Sequence, residues 1–222
     1  MSSDQPSLRL ELAAATAQWA VRQGAVLHEH LRLEERDGRG ICLVAADAID
    51  ANTTIIRIPR TLCVTSDAAR TDPDVRRVLG DDAHESFGAL LLLTLKRLQS
   101  PEGPYLQYLE LIADVTLLRP PSIGGGPLRE ALWKTVHAQD EAFDQAFAPL
   151  LKGDACFGAV DATFYALCRK LIETRAFQLA TNASSRIDSV QALVPVMDLV
   201  NYSRDCSTTL IITDDFIELR AT

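Results

Sequence analysis

The sequence predicts an α+β fold, because strand-like and helix-like segments fall in separate parts of its 222 residues. Runs rich in β-branched residues occur between positions 39 and 66, and a similar pattern returns at the end in TTLIITDDFIELRA. The stretch of about a hundred residues between them has the three-four apolar spacing of helices. We therefore expect the strands of both ends to share one sheet, with the helical block packed against it as an insertion.

Composition places the chain in the class of ordinary soluble globular proteins, with 47% hydrophobic and 23% charged residues. The longest apolar run, Phe87–Leu95, is followed by Lys96 and Arg97 and is too short to span a bilayer. The start, MSSDQPSLRL, lacks the basic and apolar regions of a secretory signal. We therefore expect a cytosolic or nuclear protein without a membrane partner.

The formal net charge of −8 argues against a nucleic-acid partner, since phosphate contacts need clustered Lys and Arg. The same charge is compatible with a basic peptide as partner. The five cysteines are scattered without a C-x-x-C pair, and the four histidines form no H-E-x-x-H pattern. These spacings predict neither a disulfide framework nor a metal site.

Local signals define the first elements. Residues 7–23 predict a helix that Ser7 caps and Gly24 ends. The β-branched runs that follow predict two or three short strands in one small sheet. These runs are Ile41–Val44, Thr54–Ile58 and Leu62–Thr65.

The central block predicts several helices. Apolar residues from Phe87 to Leu98 follow helical spacing until Pro101, and Tyr105–Ile112 is a second candidate helix. A loop is expected at 120–127, after which Leu128, Leu132, Val136, Phe143 and Phe147 suggest one or two further helices facing a core. Asp161 is placed to cap the next helix, and Asp214–Asp215 predicts the turn of a final hairpin.

Two short polar clusters are candidates for chemistry. In RDGRGICLVA, Gly38 and Gly40 precede a strand, an arrangement that serves either as a plain turn or as a place where backbone amides approach a ligand. In LVPVMDLVNYSRDC, an apolar segment changes abruptly to Asp198, Asn201 and Tyr202. Such a stretch either caps a turn or holds a polar ligand against the core.

Taken together, these stretches resemble a SET domain of the protein lysine methyltransferases related to the Rubisco large-subunit enzyme. GRGICLVAADAIDANTTIIRIPRTLCVT is similar to the N-terminal part of that domain. ETRAFQL and LVPVMDLVNYS are similar to its serine-arginine-alanine-phenylalanine and D-x-x-N-H-S motifs. The resemblance implies a SET-type β-rich fold of short strands with a large helical insertion. The implied organisation is an N-terminal helix at 1–24 and a SET domain at 25–222, divided into N-terminal strands at 25–66, the insertion at 67–185 and a C-terminal segment at 186–222.

The resemblance also implies a cofactor, S-adenosylmethionine, and a set of residues that bind it. The glycine turn would contact its methionine part, Asn201 its amino group, and Tyr202 its adenine through the main chain. Arg175 and Asp198 would lie near the reacting lysine as catalytic residues, with Arg175 and Thr174 also near the cofactor. The complete cofactor-binding set is Asp37, Gly38, Arg39, Gly40, Thr174, Arg175, Asn201 and Tyr202.

The implied reaction is direct methyl transfer to the neutral amine of a lysine in a protein substrate. Two departures from the family pattern accompany it. Tyr202 stands where the family usually has histidine, and the sequence stops at FIELRAT before the serine-tyrosine-glycine motif of the family. We therefore expect a C-terminally incomplete SET domain, with edge strands exposed at Leu210–Ile212 and Ile217–Leu219. The alternative is a catalytically inactive SET-like module that binds a protein partner.

Overall fold

A computed structural model describes residues 7–36, 40–80, 86–113, 141, 144, 145, 147–180, 189–200 and 208–222. The helices are α1 (Leu8–Arg22), α2 (Ser66–Thr71), α3 (Pro73–Leu79), α4 (Ser86–Leu98), α5 (Gly103–Ile112) and α6 (Ala162–Arg175). The strands are β1 (Val26–Leu27), β2 (Leu31–Arg36), β3 (Gly40–Ala45), β4 (Thr54–Pro59), β5 (Val64–Thr65), β6 (Phe177–Ala180), β7 (Ser189–Leu193), β8 (Thr208–Ile212) and β9 (Phe216–Ala221).

The first helix is confirmed with the capping that the sequence predicts. The Ser7 hydroxyl accepts a hydrogen bond from the Leu10 amide at 3.2 Å, which satisfies one of the free donors of the first turn. The chain leaves the helix through Gly24, whose φ of 96° is unfavourable for residues with a Cβ. Helix α1 packs against α5, β2 and β3, so it is joined to the rest of the fold.

The predicted strands of the N-terminal region form, but the prediction that they belong to one small sheet is wrong. Among the described residues, β2 and β3 form a two-stranded sheet, β4 lies in the order β1-β4-β9-β8, and β5 in the order β5-β7-β6. Strand pairing depends on partners distant in sequence, which local β propensity does not identify.

The prediction that strands from both ends share a sheet is confirmed. Strand β4 pairs with β9 in antiparallel register, with Ile58 opposite Ile217, and β8 and β9 form the final hairpin around Asp214–Asp215. The expectation of an exposed edge at Ile217–Leu219 is wrong, because β9 lies between β4 and β8. Strand β8 lies at one edge of this sheet, where Leu210 is 37% exposed.

The helical block also largely follows the sequence prediction. Helices α4 and α5 form where apolar spacing places them, and the Asp161 carboxylate caps α6 by accepting from the Thr163 amide at 2.7 Å. Residues 147–151 are helical and Phe147 is buried. Strand β6 lies inside the predicted insertion at 67–185, so that segment is not purely helical. The expectations for 120–127, Leu128, Leu132, Val136 and Phe143 lie outside the described residues.

The core consists of two contiguous apolar clusters. One is centred on α4, whose leucines at 90, 91, 92 and 95 are fully buried, and the other on β4 and the segment after β7. Trp19 and Leu43 contact both clusters. In the described part of the chain, no helix combines the length and apolar character needed to cross a membrane.

A buried carboxylate joins the two ends of the chain within the shared sheet. The Glu218 side chain has no exposed surface and accepts hydrogen bonds from Thr54 at 2.9 Å, Arg57 at 2.7 Å and Arg220 at 2.8 Å. Burial alone would raise the pKa of Glu218, but the hydrogen bonds outweigh it and hold that pKa below its ordinary value. Glu218 therefore stabilises the fold above its unfolded-state pKa, and this contribution is lost as the pH falls through its lower folded-state pKa.

We predict that Glu218→Gln lowers the free energy of unfolding at pH 7 by about 2–4 kcal/mol, because two arginines lose their buried anionic partner. Urea unfolding measures this change. The control is Glu35→Gln, an exposed carboxylate on β2, for which we expect a change within about 0.5 kcal/mol. Equal effects of the two substitutions would contradict the assigned role of Glu218.

Candidate active site

The segments that carry the two polar clusters lie against each other. Strand β3, which leaves the glycine turn, packs on the short 3-10 turn Met197–Leu199, which leads toward Asn201. Gly40 has φ 69°, and among the described residues no atom lies within 4 Å of the position that a Cβ would take there. The predicted site residues Asp37, Gly38, Arg39, Asn201 and Tyr202 lie outside the described residues, so their roles stay predictions.

The turn that carries Asp198 has an uncommon backbone. After β7 the chain remains buried through Val194, and Val196 then adopts φ 67° and ψ −41°. A β-branched residue in this region costs on the order of 1–3 kcal/mol and persists only when its surroundings fix it. Here the Asp198 amide donates to the Val194 carbonyl at 3.2 Å, and the Leu199 amide donates to the Val196 carbonyl at 3.1 Å.

The Asp198 side chain is fully buried, and in the described part of the chain it pairs with one cation. Its side chain has no exposed surface, and its Oδ2 lies 3.7 Å from Nη1 of Arg175. The same nitrogen donates to the Asp198 backbone carbonyl at 3.2 Å. Among the described residues neither carboxylate oxygen accepts a hydrogen bond.

Burial raises the pKa of Asp198 to about 7, although the positive charge of Arg175 acts in the opposite direction. A carboxylate with that pKa is about a thousandfold more basic than an ordinary aspartate. The group can therefore accept a proton near neutral pH, and it can stabilise a cation placed beside it.

The sequence brings Arg175 to this place through the end of α6. Arg175 is the last residue of the helix, and its side chain is 24% exposed. Basic residues are favoured there because the helix dipole leaves partial negative charge at its C-terminus. Unlike Arg175, Thr174 is exposed and makes its hydrogen bond within its own helix. Its hydroxyl donates to the Lys170 carbonyl at 2.7 Å.

Tyr108 of α5 contacts Arg175, and Tyr105 lies on the same face of that helix; the sequence interpretation assigned neither to the site. Arg175 Nη1 donates to the Tyr108 hydroxyl at 3.5 Å, and its guanidinium lies 6.0 Å from the centre of the Tyr108 ring. Tyr105 lies one helical turn earlier and is 3% exposed. The spacing of the two tyrosines in YLQYLELI, three residues apart on one helix face, is a signal that could have identified them.

The pKa values of both phenols reflect this crowded and buried environment. Burial raises the pKa of Tyr108 to about 12, with Arg175 lowering it and Asp198 raising it. Burial also raises the pKa of Tyr105 well above its ordinary value, and the nearby charge of Asp198 adds to that effect. Both side chains are therefore neutral hydrogen-bonding groups at physiological pH.

Two cavities at the described surface are not lined by the predicted site residues. One of about 410 Å³ lies beside Phe157 and Tyr165, and one of about 590 Å³ lies between α1 and α5. Within the described ranges, no three His, Cys, Asp or Glu side chains cluster as metal ligands would.

Comparison with known proteins gives a match in structure. No protein-family model matches the chain, and no curated protein matches it. The crystal structure of the SET domain of LSMT bound to lysine and AdoHcy matches with TM-score 0.66 and 16% identity, over 98% of this chain and 51% of that chain. The structure of Rubisco LSMT bound to AdoMet gives TM-score 0.67 and 16% identity, over 97% of this chain and 51% of that chain.

A third structure, Rubisco LSMT bound to sinefungin and monomethyllysine, gives TM-score 0.63 at 16% identity, over 97% of this chain and 51% of that chain. The chain thus spans about half the length of the solved structures it matches. This likeness confirms the predicted fold: the chain has the α+β fold of a SET domain of the Rubisco LSMT type.

We predict that Asp198→Asn raises the melting temperature at pH 8 by several degrees and changes it little at pH 5. With a folded-state pKa of about 7, native Asp198 binds more protons than the unfolded chain between about pH 4 and pH 7. Wild-type stability therefore falls as the pH rises through that range, and the neutral amide removes this loss.

Calorimetric melting at both pH values measures the effect. Asp214→Asn, in the exposed turn of the final hairpin, is the matched control and should show no such difference. A larger loss of stability at pH 8 than at pH 5 for Asp198→Asn would contradict the account, since it would mean that the charged form is held by favourable contacts.

Proposed function

We propose that this chain is the SET domain of a protein-lysine N-methyltransferase that uses S-adenosylmethionine. The observation that carries the proposal is the buried Asp198 carboxylate paired with the partly exposed Arg175 in a chain with a SET-domain fold. A fully buried aspartate with a raised pKa is costly to a fold, and such groups concentrate at functional sites. Both residues occupy the positions that the motif resemblance assigns to the site.

The described residues fit the proposed cofactor. S-adenosylmethionine combines a sulfonium cation with an amino-acid part and an adenosine, and it supplies an electrophilic methyl group when bound. The buried Asp198 carboxylate offers negative charge on oxygens that accept no hydrogen bond from the described residues. Gly40 has no Cβ, so a ligand can approach its backbone closely. The glycine turn at 37–40 would hold the methionine part, with Asn201 and Tyr202 completing the site.

Asp198 has a second use in the proposed reaction, which is to handle the proton of the substrate. A free lysine has a pKa near 10.4, so its ammonium must lose a proton before the nitrogen can act as a nucleophile. Asp198, with a pKa of about 7, accepts a proton on a carboxylate oxygen far more readily than an ordinary aspartate does. Arg175 fixes the position of this carboxylate through its contacts to the backbone carbonyl and Oδ2 of Asp198.

The substrate class follows from the neighbours and from charge. The matching SET domains are bound to lysine or monomethyllysine, and we assign a protein lysine as substrate on that basis. The net charge of −8 favours encounter with a basic polypeptide, because opposite charges accelerate association.

We predict that the chain binds S-adenosylmethionine and that Asn201→Ala weakens this binding about 10- to 100-fold, the effect of removing one hydrogen bond to a charged group. Isothermal titration calorimetry measures both affinities. The control is Gln107→Ala, which removes an exposed amide on α5 and should leave the affinity unchanged. Transfer of tritium from labelled S-adenosylmethionine to polylysine then tests the reaction itself.

The outcomes separate the proposal from its main alternative. Binding of cofactor together with transfer of label supports the methyltransferase. The alternative is a non-catalytic module that binds a protein partner, which Tyr202 favours because it replaces the usual histidine of the family motif. Binding of a basic polypeptide without any affinity for cofactor, and without an effect of Asn201→Ala, would establish that module and refute the enzyme.

A further inference from the structure

Three buried polar atoms at the site lack hydrogen-bond partners among the described residues. They are the hydroxyl oxygen of Tyr105 and the two carboxylate oxygens of Asp198. Buried polar groups in folded proteins are almost always satisfied, and an unsatisfied one costs about as much as a lost hydrogen bond. The phenol can donate a hydrogen bond and the carboxylate can accept one, so a single small molecule between them can hydrogen-bond to both.

Helix α5 lies beside the turn that carries Asp198, and Arg175 connects the two. Nη1 of Arg175 contacts both the Tyr108 hydroxyl and the Asp198 carbonyl, so the C-terminal half of α5 and the 3-10 turn meet at that nitrogen. Tyr105 is three residues before Tyr108 and lies on the same face of α5. Tyr105, Tyr108 and Leu199 are buried members of one apolar cluster. The charge of Asp198 also acts on the pKa of Tyr105, as expected for near neighbours.

The charged and titratable groups that affect the pKa values of Tyr105 and Tyr108 come from several parts of the chain besides the Asp198 turn. Helix α6 contributes Arg175 and α5 contributes both tyrosines. The segment before β5 contributes the buried thiol of Cys63, and Arg9 of α1 acts on Tyr108. Burial raises the pKa of Cys63 to about 12, so the thiol stays neutral at physiological pH. Asp198 is then the group in this set that titrates near neutrality.

We propose that one buried water molecule joins the Tyr105 hydroxyl to the Asp198 carboxylate, which makes Tyr105 a positioning residue of the site. A water with two to four polar partners in an otherwise apolar interior is a common structural element. Tyr105 then stabilises the charged form of Asp198 through the water and sets the pH at which Asp198 can accept a proton. This role in catalysis rests on the proposed methyltransferase function, whereas the linkage itself belongs to the folded protein.

The linkage and a purely structural role predict opposite results for Tyr105→Phe, a substitution that keeps the buried ring. An unpaired buried hydroxyl only costs stability, so its removal would raise the melting temperature equally at all pH values. A hydroxyl linked to Asp198 supports the charged carboxylate, so its removal must lower stability where Asp198 is charged. It should have little effect where Asp198 is protonated.

The experiment is calorimetric melting of wild type, Tyr105→Phe, Asp198→Asn and the double variant from pH 5 to pH 8. We expect Tyr105→Phe to lower the melting temperature by about 2–4 °C at pH 8, with little change at pH 5. The apparent pKa of Asp198 should rise by up to about one unit, which is a tenfold change in its acid dissociation constant. In the Asp198→Asn background, the pH dependence of the Tyr105→Phe effect should disappear.

Thr94→Val is the matched control, because the Thr94 hydroxyl is buried and has no hydrogen-bond partner among the described residues. Its effect should be the same at pH 5 and pH 8. An equal effect of Tyr105→Phe at both pH values, or a pH dependence that persists in the Asp198→Asn background, would overturn the inference.

Failure of the proposed function would look different. These melting curves need no cofactor, so a chain that fails to bind S-adenosylmethionine refutes the methyltransferase and leaves the Tyr105 result intact. Where transfer of label is measurable, the acid limb of the kcat/KM profile should move to higher pH in Tyr105→Phe. The affinity for S-adenosylmethionine, measured at pH 9 where Asp198 is charged in both proteins, should stay within about twofold, a change of less than about 0.5 kcal/mol. An unmoved acid limb would also overturn the inference.

Discussion

The carboxylate of Asp198 lies in the interior with Arg175 as its cationic neighbour, and neither of its oxygens accepts a hydrogen bond from the described residues. Desolvation of a charge is among the largest costs that a fold can carry. The strained φ of Val196 just before it adds to this cost. This local arrangement is unfavourable for two reasons, so the surrounding structure must hold it in place. The proposed reaction gives a physical reason for keeping it, because the carboxylate would take part in that chemistry.

The rest of the fold supplies the support that this arrangement needs. Pairing of β4 with β9 brings the beginning and the end of the chain into one sheet, and Glu218 reinforces that pairing with hydrogen bonds from both strands. The turn with Asp198 follows β7, which belongs to a second sheet. Strand β3 packs directly on that turn. Helix α6 then ends with Arg175 beside Asp198. The site is therefore built where separate elements meet, a placement that holds a small set of polar groups rigidly.

Much of this could be predicted from sequence because its signals are local. Capping and turn chemistry involves only neighbouring residues, so it can be recognised in the sequence. Examples are the helix caps Ser7 and Asp161 and the hairpin turn at Asp214–Asp215. The shared sheet was predictable from the order of strand-like segments, but the division of the N-terminal strands among three sheets was not, since register and partner choice are long-range. Motif resemblance predicts Asp198 and Arg175 as site residues. Tyr105 and Tyr108 belong to a segment predicted as a helix, and neither matches a tyrosine of the family motifs.

The most direct test of the account is the titration of Asp198 itself, followed by the ¹³C chemical shift of its carboxyl group. We predict a pKa near 7 in the free chain, as burial requires. Saturation with S-adenosylmethionine should lower this pKa more than saturation with S-adenosylhomocysteine, because only the former places a sulfonium cation beside the carboxylate. An Asp198 that titrates in the ordinary range of aspartates, or that responds equally to both nucleosides, would contradict the claim that a buried anion at this turn faces a cationic ligand.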